Sequence, residues 1–234
     1  MKRKLLKLME KNKYTLAASP PLQTMDFIKA AINGGAHAVK VHVNVAHLAS
    51  GNNFGSLSQE KEFLQEVIEL AGDDVLVGLV PGADQAFITE EERTEIEEMG
   101  ISFFSVYDKH CPPFMMDSPI LTRMIAIHYD YDEMLLKGIS SDPKIDVVEA
   151  SIMPATEYGA EIVYKDLIRY RHIVESLKQP VLIAAQKCVK PSEVRALYEL
   201  GSRAIMIGTK VMGEQTPEAC YAATAKFREA IEKL

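Results

Sequence analysis

The stretch from Pro180 to Gly213, PVLIAAQKCVKPSEVRALYELGSRAIMIGTKVMG, limits the possible folds more than any other part of the chain. Val181–Ala185 is a short apolar run that stops at polar Gln186 and Lys187. Pro191, Ser192 and Glu193 have the character of a first helical turn, and Gly201 ends the helical pattern. Ala204–Ile207 is a second apolar run, closed by Gly208 and Thr209. Strand, helix, strand is the repeating unit of an α/β fold.

The same rhythm runs through the rest of the chain. Tyr14–Ala18 reads as strand one, stopped by Ser19-Pro20-Pro21. Asp26–Asn33 carries a helical apolar stripe and ends at Gly34-Gly35. Ala38–Val43 is strand two, Val75–Val80 strand three and Ile101–Val106 strand four. Residues 44–57 read as a long loop, with Ser58 capping the helix after it. Thr89 with Glu92 forms a capping box for the third helix. Met124–His128 is strand five, Ile145–Ala150 strand six, Val181–Ala185 strand seven and Ala204–Ile207 strand eight. Asp117-Ser118-Pro119 also looks like a helix start, and one continuous helix through Leu136 would remove strand five. The fold expected is a single-domain (β/α)8 barrel over residues 1–234, with an irregular fourth helix and residues 1–13 as an N-terminal helical extension.

Composition narrows the function classes. The 234 residues are 47% hydrophobic, enough for one sizeable core, and the net charge is −7. No long basic run offers a nucleic-acid footprint. Cys111, Cys188 and Cys220 are odd in number and widely spaced, which fits neither a disulfide framework nor a zinc motif. No apolar run approaches the roughly 18 residues a membrane span needs, and the N-terminus lacks a secretory signal pattern, so the expected location is the cytoplasm. No dinucleotide or nucleotide-triphosphate loop occurs, and no cofactor is expected.

In a β/α barrel the chemistry sits at the carboxyl ends of the strands. That rule selects Ser19 on strand one, then Lys40, His42 and Asn44 on strand two, where period two puts all three on one face. It selects His128 and Asp130 after strand five, Glu149 and Ser151 on strand six, and Gln186 and Lys187 after strand seven. A lysine inside a dry barrel needs an anion beside it, and Glu149 is the best internal partner. Lys40, Glu149 and His42 are therefore the candidate catalytic groups. Ser19, Asn44, His128, Gln186 and Lys187 are candidate substrate contacts. Gly208 and Thr209 are the candidate phosphate contacts, with a small anionic metabolite as the partner. His42, His128, Asp130 and Glu149 are chemically suitable metal ligands, although spacing alone shows no convergence. The oligomeric state is open, and a homodimer formed through the helices is the default expectation.

Val181–Gly213 resembles the ribulose-phosphate-binding superfamily of TIM barrels, which includes indole-glycerol-phosphate synthases, ribulose-phosphate epimerases and N-acetylmannosamine-6-phosphate 2-epimerases. Gly201 matches the helix-ending glycine of the late motif, and Gly208-Thr209 its phosphate-binding turn. The resemblance covers the last quarter well and the rest as barrel rhythm. The 2-epimerases use a lysine and a glutamate; their lysine lies on a later strand than Lys40, so only Glu149 transfers. The resemblance implies sugar-phosphate chemistry. The residues leave three readings open: a Lys/Glu isomerase or epimerase, a Schiff-base lyase or aldolase using Lys40, and a non-catalytic phosphometabolite-binding barrel.

Overall fold

The computed structural model describes residues 3–234. Eight parallel strands close into a barrel: β1 (Thr15–Ser19), β2 (Ala38–His42), then β5 (Leu76–Val80), β6 (Phe103–Tyr107), β7 (Thr122–Ile127), β8 (Val147–Ala150), β9 (Val181–Ala184) and β10 (Ala204–Gly208). The remaining strands, β3 (Val45–His47) and β4 (Asn52–Phe54), form a separate antiparallel hairpin. Barrel strands neighbour one another in chain order, and β10 closes the ring against β1 with Ser19 opposite Gly208.

Each strand splits its residues by period two. Leu16, Val39, Leu79, Phe104, Val148 and Ile207 face outward into the main core with the helices. Ala17, Ala38, Phe103, Met124, Val147 and Leu182 belong to a second, interior cluster. Leu5 and Met9 of helix α1 (Lys4–Lys11) join that interior cluster, and the Leu5 amide donates to Thr122 Oγ1 at 3.2 Å. The amphipathic extension expected at residues 1–13 therefore includes a helix that seals the amino end of the barrel; Met1 and Lys2 lie outside the described residues.

Six longer elements flank the ring: α2 (Met25–Asn33), α3 (Leu57–Ala71), α4 (Glu90–Met99), α5 (Glu133–Ser141), α6 (Tyr164–Ser176) and α7 (Val194–Glu199). A short α8 (Thr209–Met212) and α9 (Pro217–Glu232) close the chain. The irregularity expected at the fourth helix is present: two 3-10 turns, Asp108–His110 and Pro113–Asp117, connect β6 to β7. The helix-start signal at Asp117-Ser118-Pro119 is spent on a tight turn. Ser118 Oγ accepts from the Leu121 amide at 2.9 Å and donates to Glu97 Oε1 at 2.6 Å, and the strand follows at once.

Two local expectations are corrected. The cap of α3 is Ser56 rather than Ser58; its amide donates to Gln59 Oε1 at 2.8 Å, so the box partner is Gln59. The loop over residues 44–57 is not irregular, because it contains the β3–β4 hairpin. Among the described residues no helix is long and apolar enough to cross a membrane.

Candidate functional site

Lys40 and Glu149 lie four strands apart in either direction around the ring, because β2 and β8 are diametrically opposed. Both side chains point inward and meet across the barrel. Lys40 Nζ donates to Glu149 Oε2 at 3.0 Å and to Oε1 at 3.3 Å. Ser105 Oγ, from β6, donates to Oε2 at 2.5 Å, and Ser151 Oγ donates to Oε1 at 2.7 Å. Both ends of the pair are buried, Lys40 at 7% exposure and Glu149 at 4%. Burial pushes the Glu149 carboxyl toward protonation, but the Lys40 charge and the three donors outweigh it and hold the group below its ordinary value. The pair is therefore a satisfied ion-paired rung across the barrel interior, flanked by Ser105 and Ser151.

One layer nearer the mouth, His42 continues the inward face of β2. Its ring stacks on Phe54 (centroids 4.9 Å apart, planes 13° apart) and lies 4.7 Å from the ring of His47. Its Nδ1 is buried without a hydrogen-bond partner. Burial, then His47, then Lys40 drive the His42 pKa well below the ordinary value. His47 Nδ1 pairs with Ser50 Oγ at 2.8 Å, and burial with the Lys40 charge pushes its pKa down to about 4. Both imidazoles are neutral at pH 7. Their contribution to stability is present above the ordinary histidine range and disappears as pH falls through the lowered values. Imidazole NMR should find His47 titrating near pH 4 and His42 titrating well below the ordinary histidine range; titration of either near the unperturbed value of about 6.5 would contradict this packing.

Above the Lys40–Glu149 rung lies a cavity of about 370 Å³. One wall carries Ser19, Gly208, Thr209 and Lys210. Thr209 Oγ1 is buried without a partner, and Lys210 makes no ion pair with the described residues. The opposite wall belongs to β6, which stands four strands from β10 either way, and carries Tyr107, Lys109 and His110. His128 joins them from the end of β7 with its Nδ1 bonded to Asp130. Gln186 accepts from the Met153 amide at 2.9 Å and donates to the Tyr158 hydroxyl at 2.7 Å, which fixes its amide at the rim.

Eight of the ten candidate residues therefore line one cavity: Lys40, His42, Glu149, Ser19, His128, Gln186, Gly208 and Thr209. Two do not. Asn44 adopts a left-handed backbone (φ 56°) just past the end of β2, which breaks the period-two face there, and its amide instead donates to the Gly55 carbonyl at 2.7 Å. Lys187 is buried away from the cavity, with Nζ at 2.8 Å from both Asp166 and Glu157. Sequence reasoning missed Ser105, Tyr158 and Lys109. Ser105 was findable, since it sits two residues before Tyr107 on the same inward face of FFSVY. Tyr158 comes from a loop with no register, so no pattern points to it. Burial pushes the Cys111 thiol up to about 12, away from the thiolate form that nucleophilic chemistry needs. Among the described residues no three His, Cys, Asp or Glu side chains converge as a metal-binding set.

The ring of eight strands and its cavity at the carboxyl end define a (β/α)8 barrel whose largely apolar cavity carries lysine and histidine side chains. Solved structures with this fold include a thiamine phosphate pyrophosphorylase from Pyrococcus furiosus (17% identity, 96% of this chain and 98% of that one, TM-score 0.66). KGPDC from Streptococcus mutans matches at 13% identity over 95% of this chain and 99% of that one, with TM-score 0.69. A tryptophan synthase alpha-subunit from Pyrococcus furiosus matches at 14% identity over 94% and 98%, also with TM-score 0.69. The likeness in fold thus spans the chain rather than its last quarter. No protein-family model and no curated protein sequence matches it.

Proposed function

We propose that the chain is a metal-independent enzyme that moves a proton at a carbon next to a carbonyl in a small phosphorylated metabolite, as an isomerase or epimerase does. The observation that carries this reading is the buried Lys40–Glu149 pair directly beneath a cavity with an unpartnered hydroxyl and a lysine on its wall. In the bound state the Lys40 ammonium turns to the substrate carbonyl oxygen and stabilises the enediolate. Glu149 then loses its charge partner, and burial raises its proton affinity. The motion that polarises the carbonyl also primes the base.

The phosphate is assigned to Gly208, Thr209, Ser19 and Lys210. Gly208 has no side chain to block the wall, Thr209 Oγ1 is buried without a partner, and Lys210 adds charge. Enzymes of similar fold named for a phosphorylated compound, such as 3-hexulose-6-phosphate synthase, support this class of ligand. A Schiff-base role for Lys40 is disfavoured, because its nitrogen is engaged by both Glu149 oxygens.

The test is solvent exchange. In D2O the wild type should incorporate deuterium into at least one member of a panel of pentulose 5-phosphates and N-acylhexosamine 6-phosphates, and Glu149→Gln should lose this by about 10²–10⁴-fold. Borohydride trapping of a covalent adduct on Lys40 would favour the lyase reading instead. For the phosphate wall, Gly208→Val should raise KM and the inhibition constant of inorganic phosphate by about tenfold, a loss of about 1.4 kcal/mol in binding, with a smaller change in kcat. Unchanged phosphate inhibition would remove this wall from the assignment.

A further inference from the structure

We infer that His47, carried on the β3–β4 hairpin, is the second proton-transfer group of the site and serves the substrate face turned away from the Lys40–Glu149 rung, which makes the reaction an inversion at carbon. This inference rests on the proposed proton-transfer function of that rung.

The geometry places His47 across from Glu149. Lys40 and His42 are successive inward residues of β2, so His42 stands one layer nearer the mouth. The His47 ring packs 4.7 Å from His42 and is therefore above the Lys40 layer, on the β2 side. Glu149 enters from β8, diametrically opposite. His47 lines the same cavity and lies within electrostatic reach of Lys40, Glu149 and Lys210. A carbon resting on the rung thus has a carboxylate below it and an imidazole above. Ser50 Oγ holds His47 Nδ1 and fixes the ring, which leaves Nε2 as the nitrogen for chemistry.

The other candidates for this role fit less well. His128 extends from β7, the neighbour of β8, so it stands on the side of Glu149 rather than opposite it. Its Nδ1 is bonded to Asp130. The Tyr107 phenol is pushed up by burial and keeps its proton at neutral pH. His42 has one ring face covered by stacked Phe54 and His47 packed beside it, and the three rings form one cluster.

Neutral His47 Nε2 takes the proton from the upper face of the carbon next to the carbonyl. The C–H electron pair moves into the carbonyl, and the oxyanion is held by Lys40. Glu149, whose proton affinity burial raises once Lys40 turns to the oxyanion, carries a proton taken from solvent and gives it to the lower face of the same carbon, and the oxyanion collapses back to the carbonyl. His47 leaves protonated and Glu149 ionised, Lys40 keeps its proton throughout, and solvent at the mouth restores both acid-base groups. In the opposite direction, Glu149 takes the lower-face proton and charged His47 returns one from above.

The experiment separates exchange from inversion. The probe is whichever sugar phosphate of the panel the wild type exchanges in D2O, with both epimers tested separately. In His47→Gln, conversion of one epimer to the other should fall at least 100-fold. The epimer whose C–H faces the rung should keep exchanging deuterium within about threefold of wild type, while its partner should stop. Ser50→Ala should weaken inversion about tenfold in the same asymmetric way, and circular dichroism should show both variants folded. Inversion at the wild-type rate in His47→Gln overturns the inference, as does equal loss of inversion and of both exchange reactions. The asymmetric pattern appearing in His128→Gln instead also overturns it. In each of these cases, loss of all exchange in Glu149→Gln leaves the proposed function standing. Failure of the wild type to exchange any panel member overturns both.

Discussion

Lys40→Met is expected to reduce turnover by at least about 10³-fold and to cost the fold about 3–5 kcal/mol at pH 7, because it strands a carboxylate inside the barrel. Glu149 is 4% exposed, and burial is the largest single influence on its carboxyl. With Lys40 in place, the folded-state pKa is depressed. The native pair therefore contributes stability above the ordinary carboxylate range, and the contribution is lost as pH falls through the depressed value. Without Lys40 the burial effect prevails and the folded-state pKa rises. A raised pKa favours folding below the unfolded value of about 4.3, and that benefit is lost as pH rises through the folded value. The deficit of the variant should thus be largest near neutrality and should shrink toward pH 4. Replacing both partners, Lys40→Met with Glu149→Leu, should recover most of the stability while leaving the protein inactive. Denaturant melts at pH 4 and pH 7 decide the matter. Equal deficits at the two values would mean that the carboxylate reaches water or another cation when Lys40 is gone.

The barrel was legible because its strands alternate so cleanly. Each of β2, β6 and β8 reads as apolar outside and polar inside at the height of the rung: Lys40 between Val39 and Val41, Ser105 between Phe104 and Val106, Glu149 between Val148 and Ala150. Period two alone puts these side chains in the interior. That Lys40 meets Glu149 follows only from ring closure, since it needs β2 and β8 to stand opposite each other. The sequence reading failed where backbone conformation overrides alternation. Asn44 continues the polar face of strand two on paper, but the chain turns left-handed there to start the hairpin. Lys187 follows a strand end just as Gln186 does, yet Asp166 of α6 and Glu157 capture it. Neither acid is near it in sequence, so no local pattern could have indicated that choice. The hairpin itself was hidden because Asn, Gly and Ser serve a tight turn and a loose loop equally well.

The same interior logic yields the second large effect, Gly78→Ala. Gly78 faces inward on β5 and is the register partner of Lys40 on β2 and of Phe103 on β6. The Phe103 ring lies across the glycine: a Cβ at position 78 would fall 2.0 Å from Cζ, 2.1 Å from Cε2 and 2.6 Å from Cε1. Phe103 is 1% exposed and packed in the interior cluster, so the ring has little room to retreat. Overpacking of this kind costs about 1–3 kcal/mol, and the upper end is expected here. The damage should reach the site as well. Ser105 is the next inward residue after Phe103, and its 2.5 Å hydrogen bond to Glu149 depends on the position of β6. Activity should fall about tenfold or more in Gly78→Ala, although every group of the cavity remains in the chain. Adding Phe103→Leu makes room for the new methyl group. The double variant should be more stable than Gly78→Ala alone by about 1 kcal/mol or more, and should recover part of the lost rate. Thermal melts and turnover of the four proteins form the cycle. If Phe103→Leu makes Gly78→Ala worse by its own full single-variant cost, the two positions are independent, and the ring does not support the rung in the way its position implies.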